Sequence, residues 1–114
     1  MSSPDHSPQF CVVFVTCPSR KEADLIAMSL LKKRLIACAN IIPGVDSRFW
    51  WKGKIERAGE ALVLLKSKVD NFKKIEKEVK RLHSYEVPEI IAVPIIAGSR
   101  DYLDWIKKSV RKEA

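Results

Sequence analysis

His83, Tyr85, Glu86 and Glu89 fall inside one short segment, HSYEVPEI, with Pro88 between the two glutamates. Neutral imidazole and carboxylate are ligands that suit Cu(II), Zn(II) and similar ions, and a nearby thiolate biases such a site towards copper. Cys17, at the end of the apolar run FCVVFVTC, is the thiol that could join them. The candidate metal ligands are therefore His83 and Glu89, with Cys17 as a third. The same residues also have a structural reading. The spacing His-x5-Glu is no metal signature in itself. A histidine at a helix C-terminus interacts well with the helix dipole when protonated, and Glu89 can pair with Lys66. Tyr85 can pack at an interface with its hydroxyl satisfied, and a lone cysteine behaves as a small hydrophobe. His83 and Cys17 match no local catalytic signature. The expectation is a binding protein with no catalytic residues, not an enzyme.

The elements that must position these groups can be read along the chain. Phe10 to Cys17 is short, apolar and rich in β-branched residues, as a buried strand requires. Pro18 stops it. Ser19-Arg-Lys-Glu22 is a capping box that opens a helix, whose core stripe is Ala23, Ile26, Ala27, Leu30 and Leu31. Cys38 to Ile42 is the next strand, bent by Pro43-Gly44. The following SRFWWKGKIERAGEALVLLKS reads as a long hairpin, with its turn near Ala58-Gly59 and Gly53 as a bulge or close-contact point. A second amphipathic helix follows, with Asp70 as its N-cap, Phe72, Ile75, Val79 and Leu82 as its apolar stripe, and Glu76 placed four residues before Lys80. Pro88 holds Val87 extended and fixes the approach to a fourth strand, EIIAVPIIAG, where Pro94 argues for an edge position or a bulge. Ser99 caps a last helix carrying Leu103, Ile106 and Val110. The order β-α-β-β-α-β-α predicts an α+β, ferredoxin-like split βαβ sandwich with an antiparallel sheet. Residues 1–9 read as a flexible tail and 10–114 as one domain.

Phe49, Trp50 and Trp51 are adjacent, and strand neighbours point to opposite faces. Both faces of the hairpin therefore carry aromatic surface, more than a two-layer domain buries. Self-association through these three residues is expected, against the alternative that the C-terminal helix covers one of the tryptophans.

Composition bounds the rest. The chain has 114 residues, 46% hydrophobic and 31% charged, which is a globular composition and not a disordered one. No run approaches the roughly 20 apolar residues of a membrane helix, and the N-terminus has no secretory pattern, so the expected location is cytoplasmic, with no membrane partner. Three cysteines without a CxxC pair argue against a disulfide framework. The net charge of +7 fits a solvated basic surface. An RNA-recognition strand of the K/R-G-F/Y-G/A-F-V-x-F/Y type is missing from WKGKIERA, so no nucleic-acid partner is expected. An acylphosphatase-type enzyme would need a glycine in the loop TCPSRKE, which has none.

Three motifs, RLIACANIIPG, WKGKIE and HSYEVPEI, in that order and at those separations, together with LLKSK and DYLDWI, resemble the CutA family of divalent-cation tolerance proteins. The likeness covers about Phe10 to Val110. It implies a homotrimer of ferredoxin-like subunits, likeness in architecture to the PII signalling proteins, and a role in copper or divalent-cation tolerance. It implies further that HSYEVPEI lines a pocket between subunits, with Lys66, Tyr85, Glu86 and Trp105 in pocket positions, taking a metal ion or a small anion. No cofactor is obligatory; Cu(II) or another divalent cation is the candidate. The alternative is a PII-like signalling or protein-anchoring scaffold without a metal role. The sequence departs from the family pattern at Ser84, where proline is common, and at Phe49, where tyrosine is common.

Overall fold

The computed structural model describes residues 7–111, so most of the expected tail at 1–9, and the end of the domain expected to run to 114, lie outside the described residues. Eight elements follow one another: β1 (Phe10–Cys17), α1 (Arg20–Lys32), β2 (Cys38–Trp51), β3 (Lys54–Lys68), a 3-10 turn (Val69–Asn71), α2 (Phe72–Leu82), β4 (Ile90–Pro94) and α3 (Arg100–Ser109). The strands form one antiparallel sheet in the order β2-β3-β1-β4. This is the expected ferredoxin-like arrangement. β4 is an edge strand and Pro94 is its last residue, which is where a residue without an N–H does least harm to a ladder.

Period-two burial in β1 and β3 divides the sheet into two faces. Val13, Val15, Val63 and Leu65 point to one face and pack with Ala23, Ile26 and Leu30 of α1 and Ile75 and Val79 of α2. This is the main core. Both expected helical stripes face it. The opposite face carries Val12, Phe14, Leu62, Leu64 and Lys66 on the central strands, with Ile91 and Val93 beside them on β4 and Ile42 on β2. α3 reaches this second face, where Tyr102 lies against Lys66. Its Ile106 and Val110 are buried, and Ser99 caps it by accepting from the Tyr102 N–H.

Three expectations are corrected. The hairpin turns at Lys52-Gly53, not at Ala58-Gly59. Both turn residues have positive φ, 49° and 77°, the pattern of a two-residue type I′ turn whose twist matches the flanking strands. Gly53 is thus a turn residue rather than a bulge, and Gly59 sits within β3, paired with Asp46. The register slips between Ile42 and Val45, where Gly44 has φ 78°, so Pro43-Gly44 makes the bulge and β2 continues through it. Asp70 does not cap α2. It lies inside the 3-10 turn, and Asn71 occupies the cap position while its side chain donates to the Leu35 carbonyl and the Ser67 hydroxyl in the interior.

Candidate functional site

The exit of β1, the first turn of α1 and the end of α2 meet at one end of the sheet. α1 begins two residues after Pro18, and Ser19 accepts from the Glu22 N–H at 3.2 Å, as a capping box predicts. The Glu22 carboxylate, however, turns across to α2. It accepts from the Ser84 N–H at 3.2 Å and lies 3.4 Å from His83 Nδ1. α2 ends at His83 because that residue takes extended dihedrals, φ −78° and ψ 140°.

The His83 side chain is fully buried. Nε2 lies 2.7 Å from the Thr16 carbonyl oxygen, which can only accept, so Nε2 carries the proton. Nδ1 accepts from the Tyr85 N–H at 3.0 Å. Both ring nitrogens are therefore occupied. Tyr85 packs its ring 4.8 Å from the imidazole and donates its hydroxyl to Glu60 at 2.8 Å. Burial, reinforced by Glu60, pushes the phenol up to about 12. Burial also pushes the Cys17 thiol up to about 12, with Glu22 and Glu60 adding to the effect. Cys17 is a neutral thiol at neutral pH, not an activated nucleophile. Partial desolvation, and then the neighbouring Glu60, raise the Glu89 carboxyl above its ordinary value.

The ligand atoms of Cys17, Glu22 and His83 all lie within 4.8 Å of one another. The structure thus brings together two of the three sequence candidates and adds Glu22. Glu89 stays outside this trio, exposed and next to Glu60 rather than paired with Lys66. Among the described residues neither Glu60 nor Glu89 has a Lys or Arg ion-pair partner. The donor set fits a borderline divalent cation. It offers sulfur, nitrogen and oxygen at converging positions in a carboxylate-rich setting. A cation here would be held by Cys17, Glu22 and His83, would displace the thiol proton, and would supply positive charge among three carboxylates.

The remaining predicted positions lie elsewhere. Lys66 pairs in register with Val12, five residues before Cys17, so it sits about 17 Å along the strands from the cluster. Its Nζ is 5.6 Å from the Tyr102 ring, and Tyr102 is 5.4 Å from Trp105, which is 44% exposed. Glu86 is exposed on the HSYEVPEI elbow. Phe49, Trp50 and Trp51 are exposed near the hairpin tip, so α3 covers neither tryptophan. Sequence reasoning missed Glu22 and Glu60. The signal for Glu22 was its place in the first turn of the helix that begins directly after Cys17.

Fold and site together define a ferredoxin-like domain with a thiol, imidazole and carboxylate cluster at one sheet end. Comparison with known proteins narrows this class. The model of a family described as CutA1 divalent ion tolerance protein matches residues 11–109. A divalent-cation tolerance protein CutA from Archaeoglobus fulgidus is 46% identical over 98 residues, covering 86% of this chain and 95% of that protein. The chloroplastic CutA 1 of rice is 40% identical over 101 residues, but this chain spans only 57% of its length. The solved structure of the divalent cation tolerance protein from Thermus thermophilus superposes with a TM-score of 0.88 at 43% identity, over 90% of this chain and 99% of that one. The chain belongs to the CutA1 family of divalent ion tolerance proteins.

Proposed function

We propose that this chain serves divalent-cation tolerance by binding a cation directly, with Cu(II) or Zn(II) held by Cys17, Glu22 and His83, and that it does so as a homotrimer rather than as an enzyme. The observation that carries the reading is the convergence of those three donors beside Glu60 and Glu89, two carboxylates without a basic partner among the described residues. Irving–Williams preference and the sulfur donor favour copper. The trimeric part of the reading rests on the exposed hairpin aromatics and the apolar second face of the sheet. It also explains why Lys66 and Trp105 lie far from the cluster within one chain: a pocket between subunits draws its two sides from different copies. The cytoplasm is the proposed location. The described residues contain no helix long and apolar enough to cross a membrane, while relatives are named as chloroplastic or periplasmic.

Calorimetric titration with Cu(II) tests the site. The parent should show one saturable site per chain, weakening as pH falls because the proton competes for thiol and imidazole. Glu22→Gln should weaken binding at least about tenfold, the loss typical of a disturbed metal shell, and Cys17→Ser should narrow the preference for copper over zinc. Equal copper binding by the parent and His83→Ala would place the site elsewhere and leave this cluster a structural elbow.

A further inference from the structure

The imidazole that a cation at this cluster would use is already holding the backbone of the next segment. His83 Nδ1 accepts from the Tyr85 N–H at 3.0 Å, while Nε2 donates to the Thr16 carbonyl at 2.7 Å. Two modes of ligation are open to the ring. In the first, Nδ1 gives its lone pair to the cation and cannot also accept from Tyr85, since a ring nitrogen has one lone pair in the plane. In the second, Nε2 ligates the cation, and the ring stays neutral by moving its proton to Nδ1. Nδ1–H then faces the Tyr85 N–H donor to donor and turns instead to Glu22 Oε2, 3.4 Å away. Both modes remove the acceptor from Tyr85. Glu22 does not share this constraint, because its carboxylate can keep the Ser84 N–H and still offer a second oxygen.

We infer that His83 is a latch as well as a ligand: cation binding releases the Tyr85 amide and remodels the exposed elbow 84–89. The inference rests on the proposed cation site and adds a consequence for the surface. The elbow joins α2 to the edge strand β4. Its Val87 is 70% exposed, and Glu86 is exposed beside it. With the amide released, the elbow is still tied by the Ser84 N–H on Glu22 and the Tyr85 hydroxyl on Glu60, so the change is a local rearrangement, not unfolding. Occupancy of a buried site thereby becomes legible to a partner at the surface.

The test uses the full chain and Zn(II), which is diamagnetic and so leaves amide signals observable. Zinc binding is followed by calorimetry, and amide hydrogen exchange by NMR on the same samples. Saturating zinc should speed exchange of the Tyr85 amide at least about tenfold, while the β1 amides of Val13 and Val15 keep their protection. His83→Gln should show no zinc-dependent change at Tyr85. Saturable zinc binding with Tyr85 protection unchanged overturns the latch and spares the site. Absence of saturable binding by Zn(II) and by Cu(II) alike overturns the cation site and the latch with it.

Discussion

Glu78 shows what a single side chain decides here. It is only 6% exposed, yet it is charged, and charges are buried only when fully partnered. Arg81 grips it with two hydrogen bonds of 2.9 and 2.8 Å, Lys33 lies 2.9 Å away, and the Ser29 hydroxyl donates to it. Arg81, on its own helix, is the main cause that holds this carboxyl well below the usual range, against the opposing effect of burial. Since Ser29 and Lys33 belong to α1 and its end, Glu78 ties the two helices together. Glu78→Gln should cost about 1–3 kcal/mol at pH 7, the scale of hydrogen bonds to a charged group. A carboxyl held low in the folded chain, and near 4.3 when unfolded, stabilises fully above that value and loses its contribution as pH falls below it. Urea unfolding of parent and variant at pH 7 and pH 3 should therefore show the difference shrink in acid. A gap undiminished between pH 7 and pH 3 would show that packing, not charge, is responsible. At this scale the sequence is partly legible. Cys17 and His83 stand out because their chemistry is rare and their strand and helix ends are marked by Pro18 and by the end of the α2 stripe. Glu22 is hidden by its second role, since a glutamate three residues after a capping serine reads as part of the cap. Nothing local reveals that it crosses to another helix.

At the scale of elements, helices and central strands are legible because each repeats its signal over many residues, as the buried stripe of α2 and the alternation in β1 do. The hairpin is not, because its turn depends on two residues. Ala58-Gly59 looks like a breaker, but Gly59 lies within the strand and pairs with Asp46. Lys52-Gly53 carries the turn although Lys52 is a poor residue for positive φ. What compensates is cross-strand pairing on both sides of it, Trp50 with Ile55 and Phe49 with Glu56, and the Asp46–Arg57 pair further down at 3.0 and 3.1 Å. Lys52→Asn gives the turn its preferred Asn-Gly pair and should raise stability by about 0.5–1 kcal/mol, whereas Gly53→Ala should lower it by about 1–2 kcal/mol through left-handed strain. No neighbour lies within 4 Å of a Cβ built on Gly53, so backbone conformation alone is at stake. Thermal midpoints of the two variants check this, and a neutral Gly53→Ala would place the turn's rigidity elsewhere.

At the scale of the whole molecule, charge and apolar surface are segregated. Residues 20–34 and 72–82 carry ten Lys or Arg and four Asp or Glu, a net +6 of the chain's +7. Two of those four carboxylates, Glu22 and Glu78, are drawn inward, so the outer face of α1 and α2 is more basic still. Two copies brought together through this face would repel. The other side offers the reverse: Ile42, Ile91 and Val93 exposed on the second face of the sheet, and Phe49, Trp50, Trp51 and Ile55 on a two-stranded ribbon that extends beyond β1. A free two-stranded ribbon is marginal in water, and an apolar face of this extent is rare on a monomer. In the proposed trimer, electrostatics therefore favours contact through the sheet side, with the helical layer outward. Sedimentation equilibrium at low micromolar concentration should give three chains per particle, and the thermal midpoint should rise with protein concentration, because unfolding is coupled to dissociation. Trp51→Ala should weaken assembly by about 2 kcal/mol or more, as expected for an aromatic anchor. Added salt should leave assembly intact, since the proposed contacts are apolar and the screened repulsion lies on the outer face. A clean monomer at these concentrations would refute the arrangement, and a trimer that Trp51→Ala leaves unchanged would move the interface from the ribbon to the open sheet face.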